Sequence, residues 1–193
     1  MKLFARLGTV LLLTMIAGPL NAKDLVLYKR QGSGLETSQD GSWRLFTDQV
    51  MGGVSVGTLT TDHYRGKSCL RLQGDVSTAN NGGFIQMALD LAEGDNFDAS
   101  AYAGIEITVA GNNQEYNLHL RTGDLWLPWQ SYRASFTATP QWQTIYLPFT
   151  EFQRYKTLRS LRTNRLKRIG LVAIGREFAS DLRVAEIKLR QMP

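Results

Sequence analysis

An all-β fold, an antiparallel sandwich or barrel in one domain, is predicted by three observations. Short runs with two-residue alternation recur along the chain, turn-forming residues separate them, and no stretch carries a sustained helical period. The first convincing strand restarts at Val54-Ser55-Val56, and Ser68-Cys69-Leu70-Arg71-Leu72 continues in a strand-like pattern. Ile85, Met87, Leu89 and Leu91 then share one face, opposite Gln86, Ala88 and Asp90. Ile105, Ile107 and Val109 repeat the pattern, as do Tyr116, Leu118 and Leu120. Tyr132, Ala134, Phe136 and Ala138 follow, then Ile145, Leu147 and Phe149. Residues 169–174 are apolar on both faces, and residues 182–189 form a last candidate strand. Between these runs lie Asn80-Asn81-Gly82-Gly83, Gly111-Asn112-Asn113, Gly123-Asp124 and Thr139-Pro140, all turn chemistry. A weak helical pattern covers residues 152–166. No repeat, low-complexity linker or shift in composition marks a second domain.

The N-terminus predicts export. Lys2 and Arg6 precede an uncharged apolar run over residues 7–20, and Ala22 supplies a small residue for cleavage. The run is shorter than the ~20 residues a membrane span needs. A mitochondrial presequence would be amphipathic and richer in Arg and Ser. A secretory signal peptide over residues 1–22 is therefore expected, with a domain over residues 23–193 that is soluble in the periplasm or outside the cell. Removing 22 residues leaves 171 of 193, enough for one substantial core. The removed segment carries two positive charges and no negative one, so the net charge falls from +5 to +3, too small an excess to define a partner. Cys69 is the one cysteine, so no intramolecular disulfide can form, and its strand context predicts burial.

A search for catalytic groups finds little that converges. His63 stands in a turn-like polar stretch and His119 on the polar face of a strand, so each is expected at the surface or hydrogen-bonded. Neither has a metal-binding spacing, and no serine has a Gly-x-Ser-x-Gly setting. Glu93, Asp95 and Asp98 could supply oxygen ligands to calcium, but they lack the spacing of a known loop, and a solvated acidic loop is the expectation. The Gly-Gly pairs precede no Lys-Ser/Thr and no helix, which excludes a phosphate loop. No metal or cofactor is expected.

Two surface features remain. The segment Asp124-Leu-Trp-Leu-Pro-Trp-Gln-Ser-Tyr132 brings Trp126, Trp129 and Tyr132 together as candidate partner or ligand contacts, by stacking on sugars or anchoring a protein. The competing reading places one or both tryptophans against the core. Alternation predicts opposite orientations for them, with at most one freely exposed. Residues 154–168 then hold seven basic side chains, including Arg159, Arg162, Arg165, Lys167 and Arg168, and no acid. Such a segment suits an anionic membrane, an acidic glycan or an acidic protein, or simply a solvated loop. With Tyr155 its one interleaved aromatic, it does not predict nucleic-acid binding.

Residues 43–55 read Trp-Arg-Leu-Phe-Thr-Asp-Gln-Val-Met-Gly-Gly-Val-Ser. Gly52 and Gly53 can adopt positive φ or admit close backbone approach. Asp48 precedes the bend, where a short carboxylate accepts backbone N–H groups. Alone, this is a glycine turn between strands.

With Asp48-Gln-Val-Met51-Gly52-Gly53-Val-Ser55 and Asn80-Asn81-Gly82-Gly83-Phe84 both present after Trp43, the chain resembles the complex I intermediate-associated protein 30 family. The resemblance continues through Tyr102-Ala-Gly-Ile105, Tyr116, Tyr132 to Phe136, Trp142, Leu147-Pro-Phe149 and Phe152, and so spans nearly all of the expected domain. It implies a jelly-roll, galactose-binding-like β-sandwich in which those motif residues shape loops. It also implies a non-enzymatic binding or assembly role, since mitochondrial members assist assembly of respiratory complex I. Expected export departs from that setting and points to an envelope or respiratory protein complex as partner. The alternative is a carbohydrate-binding module built on Trp126 and Trp129.

Overall fold

The computed structural model describes residues 23–30 and 42–191. The expected signal peptide over residues 1–22 lies outside the described residues. The strands are β1 (Leu25–Lys29), β2 (Ser42–Thr47), β3 (Val56–Tyr64), β4 (Lys67–Val76), β5 (Phe84–Asp90) and β6 (Tyr102–Ala110). They continue with β7 (Gln114–Thr122), β8 (Ser131–Ala138), β9 (Gln143–Pro148), β10 (Gln153–Tyr155), β11 (Leu166–Ile174) and β12 (Phe178–Gln191). Every pairing among them is antiparallel.

Two sheets result, one ordered β3-β4-β12-β6-β9 and the other β10-β8-β7-β11-β5-β2. β12 is central to the first sheet. One edge pairs with β4 and then, farther along, with β1, while the other edge pairs with β6. Residues 152–166 are not helical. Phe152 is drawn into the core, β10 pairs Gln153–Tyr155 with β8, and a single 3₁₀ turn at Thr163–Arg165 leads into β11. Sheet pairing and burial of Phe152 outweigh a weak propensity there.

The core lies between the sheets and uses the predicted faces. Leu70, Leu72, Ile105, Ile107, Val184 and Ile187 of one sheet meet Met87, Leu89, Leu118, Leu120, Ile169 and Leu171 of the other, all essentially inaccessible. Full burial of each such side chain contributes roughly 1.5–3 kcal/mol. Cys69, next to Leu70 but outside that cluster, is buried on the other face of β4, and burial followed by the nearby Asp62 carboxylate pushes its thiol up to about 11.

The outward faces differ. On the β12 sheet, charges pair with one another: Arg183 with Asp62 at 2.8 Å and with Asp181 at 3.0 Å, Arg71 with Asp181 at 2.8 Å, and Lys188 with Glu186 at 2.8 Å. The β11 sheet carries Arg44 and Arg168 beside Asp90 and over the Phe46 ring, then His119, then Arg133 stacked 3.3 Å above Tyr155.

Candidate functional site

The two glycine motifs meet at one carboxylate. Asp48 opens a 3₁₀ turn (Asp48–Met51) at the end of β2, and its side chain turns inward until it is inaccessible. There it accepts from Ser55 N at 2.9 Å, Ser55 Oγ at 2.5 Å, Gly83 N at 2.5 Å and Phe84 N at 3.3 Å. A Cβ on Gly53 or on Gly82 would collide with that carboxyl group, so both positions exclude larger residues by close approach. Gly52 instead caps the turn at φ +87°, and Asn80 and Asn81 take φ +56° and +58°, the left-handed region Asn tolerates. Burial pushes the Asp48 carboxyl up, but the Ser55 hydroxyl and the N–H groups of Gly83, Ser55 and Phe84 outweigh it and hold it below the ordinary carboxylate range. The clasp leaves Val50, Met51, Val54 and Val56 exposed on its outside. Trp43 packs edge-on against Tyr28 at 5.0 Å, below the surface.

The tryptophans stand at the opposite end of the sandwich. Register fixes this. β2 runs from Ser42, opposite Asp90, to Thr47, opposite Ile85, whereas Thr122 and Leu166 meet at the Asp90 end. Residues 123–130 are a loop rather than a strand, so alternation does not apply to Trp126 and Trp129. Both are exposed, a correction to the expectation of at most one, because Leu125 fills the core position and the rest of the loop turns outward. One half-buried side chain makes that possible. The Arg121 guanidinium donates to the carbonyls of Leu127, Pro128 and Gln130 at 2.7–2.9 Å and to that of Leu125 at 3.4 Å. Gln130 completes the loop, its Oε1 accepting from Trp126 N and Leu127 N at 3.1 Å.

This loop and the basic segment form one surface. Gln130 Nε2 donates to Lys156 O at 3.1 Å, and a depression of about 410 Å³ is lined by Asp124, Trp126, Leu127, Gln130 and Arg159. Tyr132 takes no part in it. The side chain is fully buried on the core face of β8, and its hydroxyl only anchors the segment by donating to Ser160 O at 2.9 Å. The basic cluster is also divided. Arg165 and Arg162 flank the buried Asp124 at 2.9 and 3.7 Å, and Arg168 pairs with Asp90 at 2.5 Å on the sheet face. Lys167 belongs to β11. Arg154, Lys156 and Arg159 remain exposed and make no ion pair among the described residues.

His119 corrects another expectation. It lies on the outward face yet is buried beside Arg133, and Nε2 has no hydrogen-bond partner among the described residues. Burial, followed by the Arg133 charge, pushes it down to about 3, so it is neutral at ordinary pH. His63 lines a shallow depression of about 320 Å³ with Lys29, Lys67 and Glu186. Among the described residues, no three His, Cys, Asp or Glu side chains group as a metal ion would require.

Sequence reasoning missed Arg121, Gln130 and Leu158. Arg121 and Gln130 looked like ordinary polar residues, and only the loop that they tie shows their role. Leu158 is 95% exposed, which no local pattern signals.

The sequence profile described as Complex I intermediate-associated protein 30 matches residues 33–184. No curated protein sequence matches the chain. Solved structures share its jelly-roll fold. The family 11 carbohydrate-binding module of a cellulosomal cellulase of Clostridium thermocellum superposes with TM-score 0.70 at 14% identity, covering 88% of this chain and 95% of that one. The family 11 module of Clostridium thermocellum in complex with a β-1,3-1,4-mixed-linked tetrasaccharide gives 0.67 at 14%, covering 87% and 95%. A family 30 carbohydrate-binding module gives 0.63 at 14%, covering 90% of each chain. At such identities the likeness is one of fold.

Proposed function

The chain belongs to the complex I intermediate-associated protein 30 family, and from that premise we propose that it is a non-enzymatic binding module assisting assembly of an envelope or respiratory protein complex. The family match over residues 33–184 is the observation that carries this reading. Export by the N-terminal segment, to the periplasm or beyond the cell, is part of the proposal. Client contact is assigned to the motif end, where the Asp48 clasp holds Val50, Met51, Val54 and Val56 outward on a rigid turn. Exposed apolar side chains on a pre-ordered loop suit a protein partner, because little entropy is lost on docking.

Crosslinking from residue 50 in an envelope fraction tests it. Subunits of one membrane complex should be recovered, and Val50→Asp with Met51→Asp should abolish recovery without changing the melting temperature. Recovery of no specific protein, or equal recovery by the double variant, would sink the assignment.

A second reading, carbohydrate binding, is favoured by one observation: exposed Trp126 borders the 410 Å³ depression together with Asp124 and Gln130, a stacking ring beside hydrogen-bonding groups. Titration with soluble mixed-linked glucans while following tryptophan emission decides it. A saturable change lost in Trp126→Ala supports glycan binding, and a flat titration retires it.

A further inference from the structure

We infer that the Trp126 end of the sandwich docks on an anionic lipid bilayer. The surface is distinct from the motif end assigned to a client. Trp126 and Leu158 are the two most exposed large apolar side chains among the described residues, at 83% and 95%, and Leu127 and Trp129 stand beside Trp126. They come from two segments, residues 125–130 and 156–160, tied together by the Gln130–Lys156 hydrogen bond. The exposure is built in. Arg121 satisfies four loop carbonyls, and Gln130 satisfies two loop N–H groups, so the backbone at the tip enters a less polar medium with these bonds already made.

The chemistry around that tip matches a headgroup region. Tryptophan places an apolar ring and a polar N–H at the boundary between hydrocarbon and water, and leucine reaches deeper. Arg154, Lys156 and Arg159 surround the tip without ion-pair partners among the described residues, and residues 152–168 contain no carboxylate. Asp124, the acid closest to the tip in the chain, is buried and taken by Arg165 and Arg162. Long cationic side chains can lay their stems along the apolar tip and extend their heads to lipid phosphates. A soluble sugar would use Trp126 and the depression but give Leu158 no partner. The outer face of the β12 sheet pairs its charges internally and offers no such surplus.

The test is co-sedimentation of the chain from Lys23, which holds the whole described core, so that residues 7–20 bind no lipid on their own account. Vesicles of phosphatidylcholine mixed with phosphatidylglycerol are compared with phosphatidylcholine alone. Three cations at the surface predict a preference for the mixed vesicles on the order of a hundred-fold, falling as salt is raised. Trp126→Ser with Leu158→Ser, and separately Arg154→Glu with Lys156→Glu and Arg159→Glu, should each weaken binding roughly ten-fold or more. These side chains are exposed, so melting temperature should not move. Brominated lipid should also quench tryptophan emission in the unsubstituted protein. No sedimentation with mixed vesicles, equal binding by the variants, or no quenching would overturn the inference. Binding of a soluble acidic peptide or glycan with vesicles ignored would assign the tip to that partner instead.

Discussion

Asp48 and Gly83 stand 35 positions apart, yet the carboxylate of one accepts the backbone N–H of the other at 2.5 Å inside the molecule. That contact joins the two glycine motifs into one device. Three of the four groups that donate to Asp48 are backbone N–H groups, so a side-chain replacement there cannot be compensated by another side chain's retreat. Asp48→Ala leaves the Ser55, Gly83 and Phe84 N–H groups without an acceptor and is expected to cost ~1–3 kcal/mol. Urea denaturation monitored by circular dichroism measures it.

Gly53→Ala and Gly82→Ala should each destabilise by a similar ~1–3 kcal/mol, because the new methyl meets the Asp48 carboxyl group. Combined with Asp48→Ala, either substitution should cost less than it does alone, since the contacts with the carboxyl atoms are gone and only Asp48 Cβ at 2.7 Å from Gly53 and Ala79 O at 3.0 Å from Gly82 still crowd the new methyl. Additive effects would show that these glycines serve another purpose.

Acid should destabilise the protein in two windows. Asp48 is held below its unfolded value of ~3.9, so its contribution is complete above that pH and is lost as pH falls through the folded value. Asp62, paired with Arg183, shares that window, as does Asp181, where burial is outweighed by Arg71 and Arg183. His119 acts at higher pH. Its folded value of about 3 lies below the unfolded ~6.5, so the unfolded chain takes up the proton first and stability declines between those limits. Arg133, directly opposite on β8, also opposes a charge there. His119→Leu should flatten the profile between pH 6.5 and about 4 while leaving the steeper loss below it, as read from melting temperature against pH.

Arg121→Ala should free residues 125–130 without unfolding the sandwich. Hydrogen exchange and limited proteolysis should accelerate in that loop alone, and Arg121→Lys should not restore protection, since an ammonium cannot span four carbonyls as a guanidinium does. Unaltered exchange would show that Gln130 is sufficient.

Cys69 should resist a disulfide-exchange reagent in the native protein and react once in denaturant. Burial removes access, and its raised value suppresses the thiolate.

The core was legible because alternation is local: Ile85, Met87 and Leu89, or Tyr116, Leu118 and Leu120, announce their face by spacing alone. The Asp48 motif was visible as a turn, but its partners at Gly83 and Phe84 could not be read from spacing. Tyr132 looked available for contact since an aromatic at a loop border reads the same whether it faces water or core. His119 looked exposed because a polar face predicts solvent, whereas the outward face here is covered by arginine and aromatic side chains. The charge of residues 154–168 overstated what is free, since Asp124 and Asp90 answer it from distant positions.

The central place of β12 in its sheet carries a consequence for synthesis. β1, β4 and β6 are all made before it, and each finds its neighbour in residues 178–191, the last described strand to leave the ribosome. Until that strand is available, three strands present unpaired edges and half of the sandwich has no floor. The nascent chain therefore cannot close this sheet before residues 178–191 are made. That is a hazard if it lingers, since the edges that wait for β12 can pair with another chain instead.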